Sequence, residues 1–206
     1  MRFPAMNIRN RENLRFKRIA RHANVGAEFI CDVGFKQCPN PYLKAKRIIG
    51  VDPNATEDDV NGNYSEVYCG VLSDYTKIKG REIFDAITAG EIIEHLEDPI
   101  NFLRDCHSAL KPNGKIILST PNPNSLIEQF LTIFLSRKYF YTEEHVLLIP
   151  QRWLIRIMEL AGFTDIKLVS GGFPVPVIGL IPFPRPWCYQ TIAIGKKAMD
   201  KKEPTQ

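Results

Sequence analysis

Residues 29–55 read FICDVGFKQCPNPYLKAKRIIGVDPNA, and the division of this stretch decides the fold. FICDV (29–33) is a short, mostly apolar run that stops at Gly34, and RIIGVD (47–52) is a second that stops at Asp52-Pro53. Continuous apolar runs bounded by turn residues suit strands buried on both faces, the condition of a parallel sheet. A glycine directly after the first strand lets the backbone turn sharply and approach a ligand closely. An acidic residue at the end of the second, about twenty residues on, can accept hydrogen bonds from both hydroxyls of a ribose. A dinucleotide-binding loop would continue G-x-G-x-x-G into a helix. Lys36, Cys38, Pro39 and Pro41 stand there instead, which argues against a nicotinamide dehydrogenase.

Outward from this stretch the same alternation continues. EVYCGV, FDAITAG, KIILSTP, DIKLVS and YQTIAIGK are further strand-like runs. Between the second and third of these lies LEDPINFLRDCHSALKPNG. Asp98 is a candidate N-cap with Pro99 at the first helical position, Ile100, Leu103, Cys106 and Leu110 share a face, and Pro112-Asn113-Gly114 ends the segment. PQRWLIRIMELAGF forms a second helix, with Leu154, Ile157 and Ala161 on one side and Gly162 at its end. Strands alternating with helices predict an α/β fold with helices on both faces of one sheet.

The chain has 206 residues, 44% hydrophobic and 24% charged, with a net charge of +4. These are the proportions of one ordinary globular domain, and the charge permits an anionic partner without requiring one. The five cysteines are scattered and never spaced C-x-x-C, against a disulfide framework or a structural zinc site. No apolar run resembles a secretory signal or reaches the ~18–20 residues of a membrane span, so a cytoplasmic location is expected. Three parts are expected: a basic helical segment (1–25), the main domain (26–196) and a polar tail (197–206). The first carries Arg9, Arg11, Arg15, Lys17, Arg18 and Arg21 around an apolar side of Leu14, Ile19 and Ala23; a solvated helix packed across the domain is favoured over a nucleic-acid contact. Two segments interrupt the plan: SLIEQFLTIFLSRKYFY (125–141) and the proline-rich GGFPVPVIGLIPFPRPW (171–187). Their Phe130, Phe134, Tyr139, Phe140 and Trp187 suit an acceptor pocket or peripheral contact with a membrane surface, with packing against the domain favoured over either.

FDAITAGEIIEHLEDPINFLRDCHSALKPNGKIILSTPNPNSL and EEHVLLIPQRWLIRIMELAGF resemble the class I S-adenosylmethionine-dependent methyltransferases, in the broad group that includes the ubiquinone-biosynthesis O-methyltransferases. The resemblance covers roughly residues 27–196. It implies a Rossmann-like methyltransferase fold, a mostly parallel seven-stranded sheet whose last strand is antiparallel, and S-adenosylmethionine as methyl donor. Carried over position by position, Asp32 and Gly34, with the adjoining Phe35 and Lys36, open the loop around the methionine end. Asp52, followed by Pro53, meets the ribose, Leu72 lies near adenine, and Ala89 and Gly90 pass beneath the methionyl part. The family's further loop glycines are replaced by Lys36 and Cys38. Its acidic residue beside adenine is replaced by Val71, unless Ser73 or Asp74 serves.

A hydroxyl acceptor needs a base for its proton, and His95 and His145 are the candidates. Glu91, Glu94 and His95 follow an E-x-x-E-H spacing that on a helical turn would put three ligands on one face. With His145 they could hold a Mg²⁺- or Mn²⁺-type ion, as this spacing does in small-RNA 2′-O-methyltransferases and some quinone O-methyltransferases. Supporting and capping roles are favoured over metal here. The expected reaction is methyl transfer to an oxygen of a small molecule, sugar or lipid-linked intermediate. The alternatives are a metal-dependent RNA methyltransferase, disfavoured because only residues 9–21 offer a basic track, and a non-catalytic binding or scaffold protein with this fold.

Overall fold

The computed structural model describes residues 8–60, 62–134, 145–175 and 179–199. Tyr139, Phe140 and the tail beyond Met199 lie outside these residues, as do the side chains of Arg9 and Arg11. In chain order the strands are β1 (Phe29–Val33), β2 (Arg47–Asp52), β3 (Glu66–Cys69), β4 (Phe84–Gly90), β5 (Leu110–Pro121), β6 (Phe163–Ser170), β7 (Phe173–Val175), β8 (Gly179–Ile181) and β9 (Gln190–Lys197). The helices are α1 (Ile8–Ala23), α2 (Leu72–Lys79), α3 (Pro99–Ala109), α4 (Leu126–Phe134) and α5 (Gln151–Leu160). Seven strands form one sheet in the order β3-β2-β1-β4-β5-β9-β6, and β7 pairs with β8 in a separate ribbon. Strands β1 to β5 pair in parallel, and β9 runs antiparallel to both neighbours. The sheet expected from the sequence and its antiparallel last strand are therefore present.

Period-2 alternation distributes the apolar side chains to two cores. Ile30, Ile48, Ala86, Ile117 and Ile192 face α1 through its Ile19, Ala20 and Ala23. Cys31, Ile49, Ile87, Ile116 and Ala193 face the other way, with Leu72 and Tyr75 of α2, Leu103 and Cys106 of α3, and Leu154 and Met158 of α5. Helix α3 starts as its sequence predicts: the Asp98 carboxylate accepts from Asn101 N at 2.9 Å, with Pro99 at the first position. Gly162 follows α5 at φ +100°.

The connections β1–β2 and β2–β3 contain no α-helix, so the face carrying α1 is closed by side chains from irregular chain. Pro39 and Pro41 each remove a backbone donor and restrict the preceding residue, which excludes a helix across 35–46. Asn40, buried between them, fastens the segment instead. Its Nδ2 donates to Phe16 O at 3.2 Å, its Oδ1 accepts from Tyr42 N at 3.1 Å, and its N donates to the Tyr64 hydroxyl at 3.1 Å. Phe35, Leu43 and Tyr64 fill the space beneath.

Two expectations need correction. Arg15 is not a solvated charge of α1 but is 3% exposed. It stands four residues before Ile19 and so belongs to the inward stripe. Helix α4 does not bury its apolar stripe: Leu126, Phe130, Ile133 and Phe134 are all exposed, as is Trp187. No helix among the described residues is long and apolar enough to cross a membrane.

Candidate active site

Strand order reverses between β1 and β4, where crossovers leave on opposite faces and open a crevice at the strands' carboxyl ends. A cleft of about 730 Å³ occupies this place, bounded by Gly34, Asp52, Leu72, Gly90 and His95 among others. It is within the ~300–1,000 Å³ usual for small-molecule sites.

Gly34 turns the chain at φ +71°, and a Cβ there would come within 2.0 Å of Ile92 Cδ1, so backbone conformation and space both require glycine. At Gly90 a Cβ would meet nothing closer than the Arg15 guanidinium at 3.5 Å; its bareness leaves floor space in the cleft. The Asp52 carboxylate is oriented by two backbone amides, accepting from Asn54 N at 2.8 Å and Lys36 N at 3.4 Å. A carboxylate offers about four lone-pair sites, so acceptor capacity remains for a ligand's hydroxyls. The Lys36 ammonium is committed to Asp59 Oδ2 at 2.8 Å. Asp59 also accepts from Thr56 N and Oγ1, at 2.7 and 2.9 Å. The lysine thus ties the altered loop to the β2–β3 connection. Its hydrogen bond to Asp59, with that from Thr56, holds the aspartate below the usual carboxylate range.

The other sequence candidates divide. Pro53 and Leu72 border the cleft, together with Val71 and Phe102. Asp74, which pairs with Lys77 at 2.8 Å, and Ser73 do not border the cleft. Phe35 is directed into the core, where its ring covers Gly50 and packs on Tyr64 at 4.9 Å. Ala89 is buried in the opposite core. Asp32 is buried beneath the cleft, its two oxygens accepting from the Tyr64 hydroxyl at 2.5 Å and Thr88 Oγ1 at 2.6 Å. Burial raises its pKa against the pull of those two donors. Phe35, Ala89 and Asp32 do not border the main cleft, but Asp32 and Phe35 line a small recess beside it that shares Arg15, Gly34 and Gly90 with the cleft wall.

Arg15 borders the cleft beside Gly34 and Gly90 and is the residue sequence reasoning missed. Its Nη1 lies 3.4 Å from Glu91 Oε1 and 3.4 Å from Ser119 Oγ. Glu91 adopts φ +57°, rare for a residue with a side chain, and is held by Ser119 Oγ at 2.8 Å and Gln190 Nε2 at 3.0 Å. This separates Glu91 from Glu94 and His95, which lie on a short 3₁₀ turn, Ile93–His95. The one-face arrangement expected of E-x-x-E-H does not form.

His145 takes the vacated place. The Glu94 carbonyl accepts from Val146 N at 2.9 Å and Leu147 N at 3.0 Å, which brings His145 against His95 with ring centroids 4.8 Å apart. Ligand atoms of Glu94, His95 and His145 all lie within 4.8 Å of one another. Glu94 is fully buried. One carboxyl oxygen accepts from Thr120 Oγ1 at 3.1 Å, and the other has no hydrogen-bond partner among the described residues. Burial, aided by the charge of Glu91, pushes its pKa up to about 8. An unsatisfied buried carboxyl oxygen beside two imidazoles is a donor set that fits a divalent transition ion.

A methyltransferase-domain family model matches residues 28–168. The ubiquinone biosynthesis O-methyltransferase of Pseudomonas paraeruginosa is 29% identical over 133 residues, 58% of this chain and 56% of that protein. Its counterpart in Coxiella burnetii is 32% identical over 124 residues, 54% of this chain and 51% of its own. The chain spans about half the length of these curated relatives. Among solved structures, a SAM-dependent methyltransferase from Archaeoglobus fulgidus superposes with a TM-score of 0.65 at 20% identity, covering 90% of this chain and 94% of its own. With the family model across most of the sheet and its cleft at the topological switch, the chain belongs to the class I S-adenosylmethionine-dependent methyltransferases.

Proposed function

We propose that the protein transfers a methyl group from S-adenosylmethionine to an oxygen of a small molecule, sugar or lipid-linked acceptor. The observation that carries this is the continuity of the cleft: Asp52 stands at one end, Gly34, Gly90 and Arg15 in the middle, and His95 at the other, with His145 against it. In this reading Asp52 accepts from the ribose hydroxyls, and Val71, Leu72 and Phe102 enclose adenine. The Gly34 and Gly90 backbones lie along the methionine end, whose carboxylate meets Arg15. Transfer is an in-line displacement at the methyl carbon: the acceptor oxygen forms the new C–O bond as the C–S bond breaks, leaving S-adenosylhomocysteine. The protein's main contribution is alignment, worth several kcal/mol of the barrier. The acceptor's hydroxyl proton passes to an imidazole of the His95–His145 pair. The oxygen acceptor is supported by the names of the curated relatives.

A second reading is favoured by the unsatisfied Glu94 oxygen: Glu94, His95 and His145 would hold a divalent ion. When bound, such an ion acidifies and orients an acceptor hydroxyl.

Calorimetric titration with S-adenosylmethionine and S-adenosylhomocysteine, repeated on Asp52→Ala, tests the donor site. Micromolar binding lost in the variant supports it. No heat at millimolar ligand sinks the enzymatic reading and leaves a scaffold with this fold.

A further inference from the structure

Helix α4 carries Leu126, Phe130, Ile133 and Phe134 at i, i+4, i+7 and i+8, one continuous stripe. Among the described residues none is covered: Phe130 is 57% and Phe134 66% exposed, and their rings lie against each other, tilted, with centroids 4.8 Å apart. The chain's only two tryptophans, Trp153 of α5 and Trp187 of the turn before β9, are 55% and 49% exposed. Hydrogen bonds bring these three elements to one end of the sheet. Asn122, just before α4, donates to Pro186 O at 3.1 Å, and Gln151, at the start of α5, donates to Arg185 O at 2.8 Å. Exposed Val146 and Leu148 continue the apolar surface toward His145 and the cleft.

We propose that this end of the molecule docks on an anionic lipid bilayer. Charge complementarity selects that occupant. Arg152 lies beside Trp153, with its guanidinium 5.8 Å from the ring, and Arg185 is two residues from Trp187. Among the described residues neither arginine is in an ion pair. Of the acids on these elements, Glu159 is paired with Arg156 at 3.3 Å and Glu128 is half-buried. Half-exposed tryptophans flanked by arginines suit the headgroup layer, where an apolar body and a polar tip find different surroundings. A two-fold contact with a second copy would set these like-charged arginines against one another, which disfavours a dimer of this chain. Docking in this orientation turns the His145 end of the cleft toward the bilayer, where an amphiphilic acceptor would reside. The surface itself does not depend on the methyl-transfer reading.

The two tryptophans report on both edges of the surface at once. Full-length protein is mixed with phosphatidylcholine vesicles with and without phosphatidylglycerol, and with the same vesicles carrying a brominated lipid. Vesicles containing phosphatidylglycerol shift the tryptophan emission to the blue, and the brominated lipid quenches it. Phe130→Ser/Phe134→Ser weakens binding at least about tenfold, the scale set by losing two exposed aromatic anchors. Arg152→Gln and Arg185→Gln each weaken it about fivefold, and added salt acts in the same direction. All these positions are exposed, and a thermal melt without vesicles verifies that each variant is folded. A cofactor titration on the same samples separates failure of docking from failure of the donor site. Unchanged emission with anionic vesicles overturns the proposal. So does sedimentation equilibrium showing a dimer that the paired phenylalanine substitutions dissociate.

Discussion

Arg15 of α1 and Glu91 at the end of β4 meet at 3.4 Å across the middle of the cleft, the arginine 3% and the glutamate 24% exposed. The pair fastens the N-terminal helix to the topological switch point and leaves a guanidinium at the cleft wall. Removing one member of a fully buried ion pair costs about 3–5 kcal/mol; Glu91 keeps some access to water and two neutral donors, which lowers the cost. Arg15→Ala is expected to lose no more than about 3 kcal/mol in denaturant unfolding and over tenfold in S-adenosylmethionine affinity. Unchanged affinity with lost stability would make Arg15 a fastening of α1 and nothing more.

Asp52 permits a cleaner separation of charge from shape. Asp52→Asn retains an oxygen to accept from Asn54 N, the shorter of its two backbone contacts at 2.8 Å. It loses the charge and part of the capacity to accept from two hydroxyls. A charge-assisted hydrogen bond contributes about 1.5–3 kcal/mol. Cofactor affinity is therefore expected to fall about 10–100-fold, with the thermal midpoint nearly unchanged. An equal loss of stability and affinity would mean that the carboxylate organises the loop instead of the ligand.

Lys36 stands where a glycine was expected, yet its ammonium is occupied by Asp59, the two side chains 31% and 27% exposed. Pairs with that much access to water contribute about 0–1 kcal/mol. Lys36→Ala is expected to change cofactor affinity less than about fivefold, far less than Asp52→Ala. A large loss would show the lysine itself touching the ligand.

What the sequence revealed, and what it hid, follows from the range of the interactions involved. The strands were legible because burial on both faces forces continuous apolar runs, and α3 because Asp98 and Pro99 act within one turn. Asp52 and Gly34 were legible through their positions at strand ends. The direction of the Phe35 ring was not legible, because it depends on the bare Gly50 of the neighbouring strand, a contact made only in the folded sheet. Glu91 and Glu94 share a spacing but not a face, since Ser119 and Gln190 draw Glu91 aside through 28 and 99 residues of sequence separation. Arg15 was more accessible: its place four residues before Ile19 put it on the inward stripe, and its charge concealed it.

The Glu94, His95 and His145 cluster makes a prediction independent of turnover. Cobalt(II) added to the protein is expected to give a visible absorption band that titrates to one equivalent. His145→Ala is expected to weaken binding by at least the ~10–100-fold that loss of a supporting partner costs a metal site. A band identical in wild type and His145→Ala would place the ion elsewhere and leave the two histidines as proton acceptors alone.

Asp32 gives the last prediction, in the dependence of stability on pH. Burial raises its folded-state pKa, opposed by the Thr88 and Tyr64 hydroxyls. The unfolded value is about 3.9. Below that pH both states are protonated and the stabilisation is fully present. As pH rises, the unfolded chain releases its proton first, and the folded state must carry a buried charge, so stability falls until the folded-state pKa is passed. Asp32→Asn lacks this titration. Its amide can accept from only one of the two hydroxyls, which subtracts a constant of about 1–3 kcal/mol. Thermal midpoints of the two proteins, compared from below pH ~4 to neutrality, should therefore converge as pH rises, the variant gaining on the wild type. Parallel curves would show the two hydroxyls offsetting burial completely, with Asp32 ionising in the folded protein as readily as in the unfolded chain.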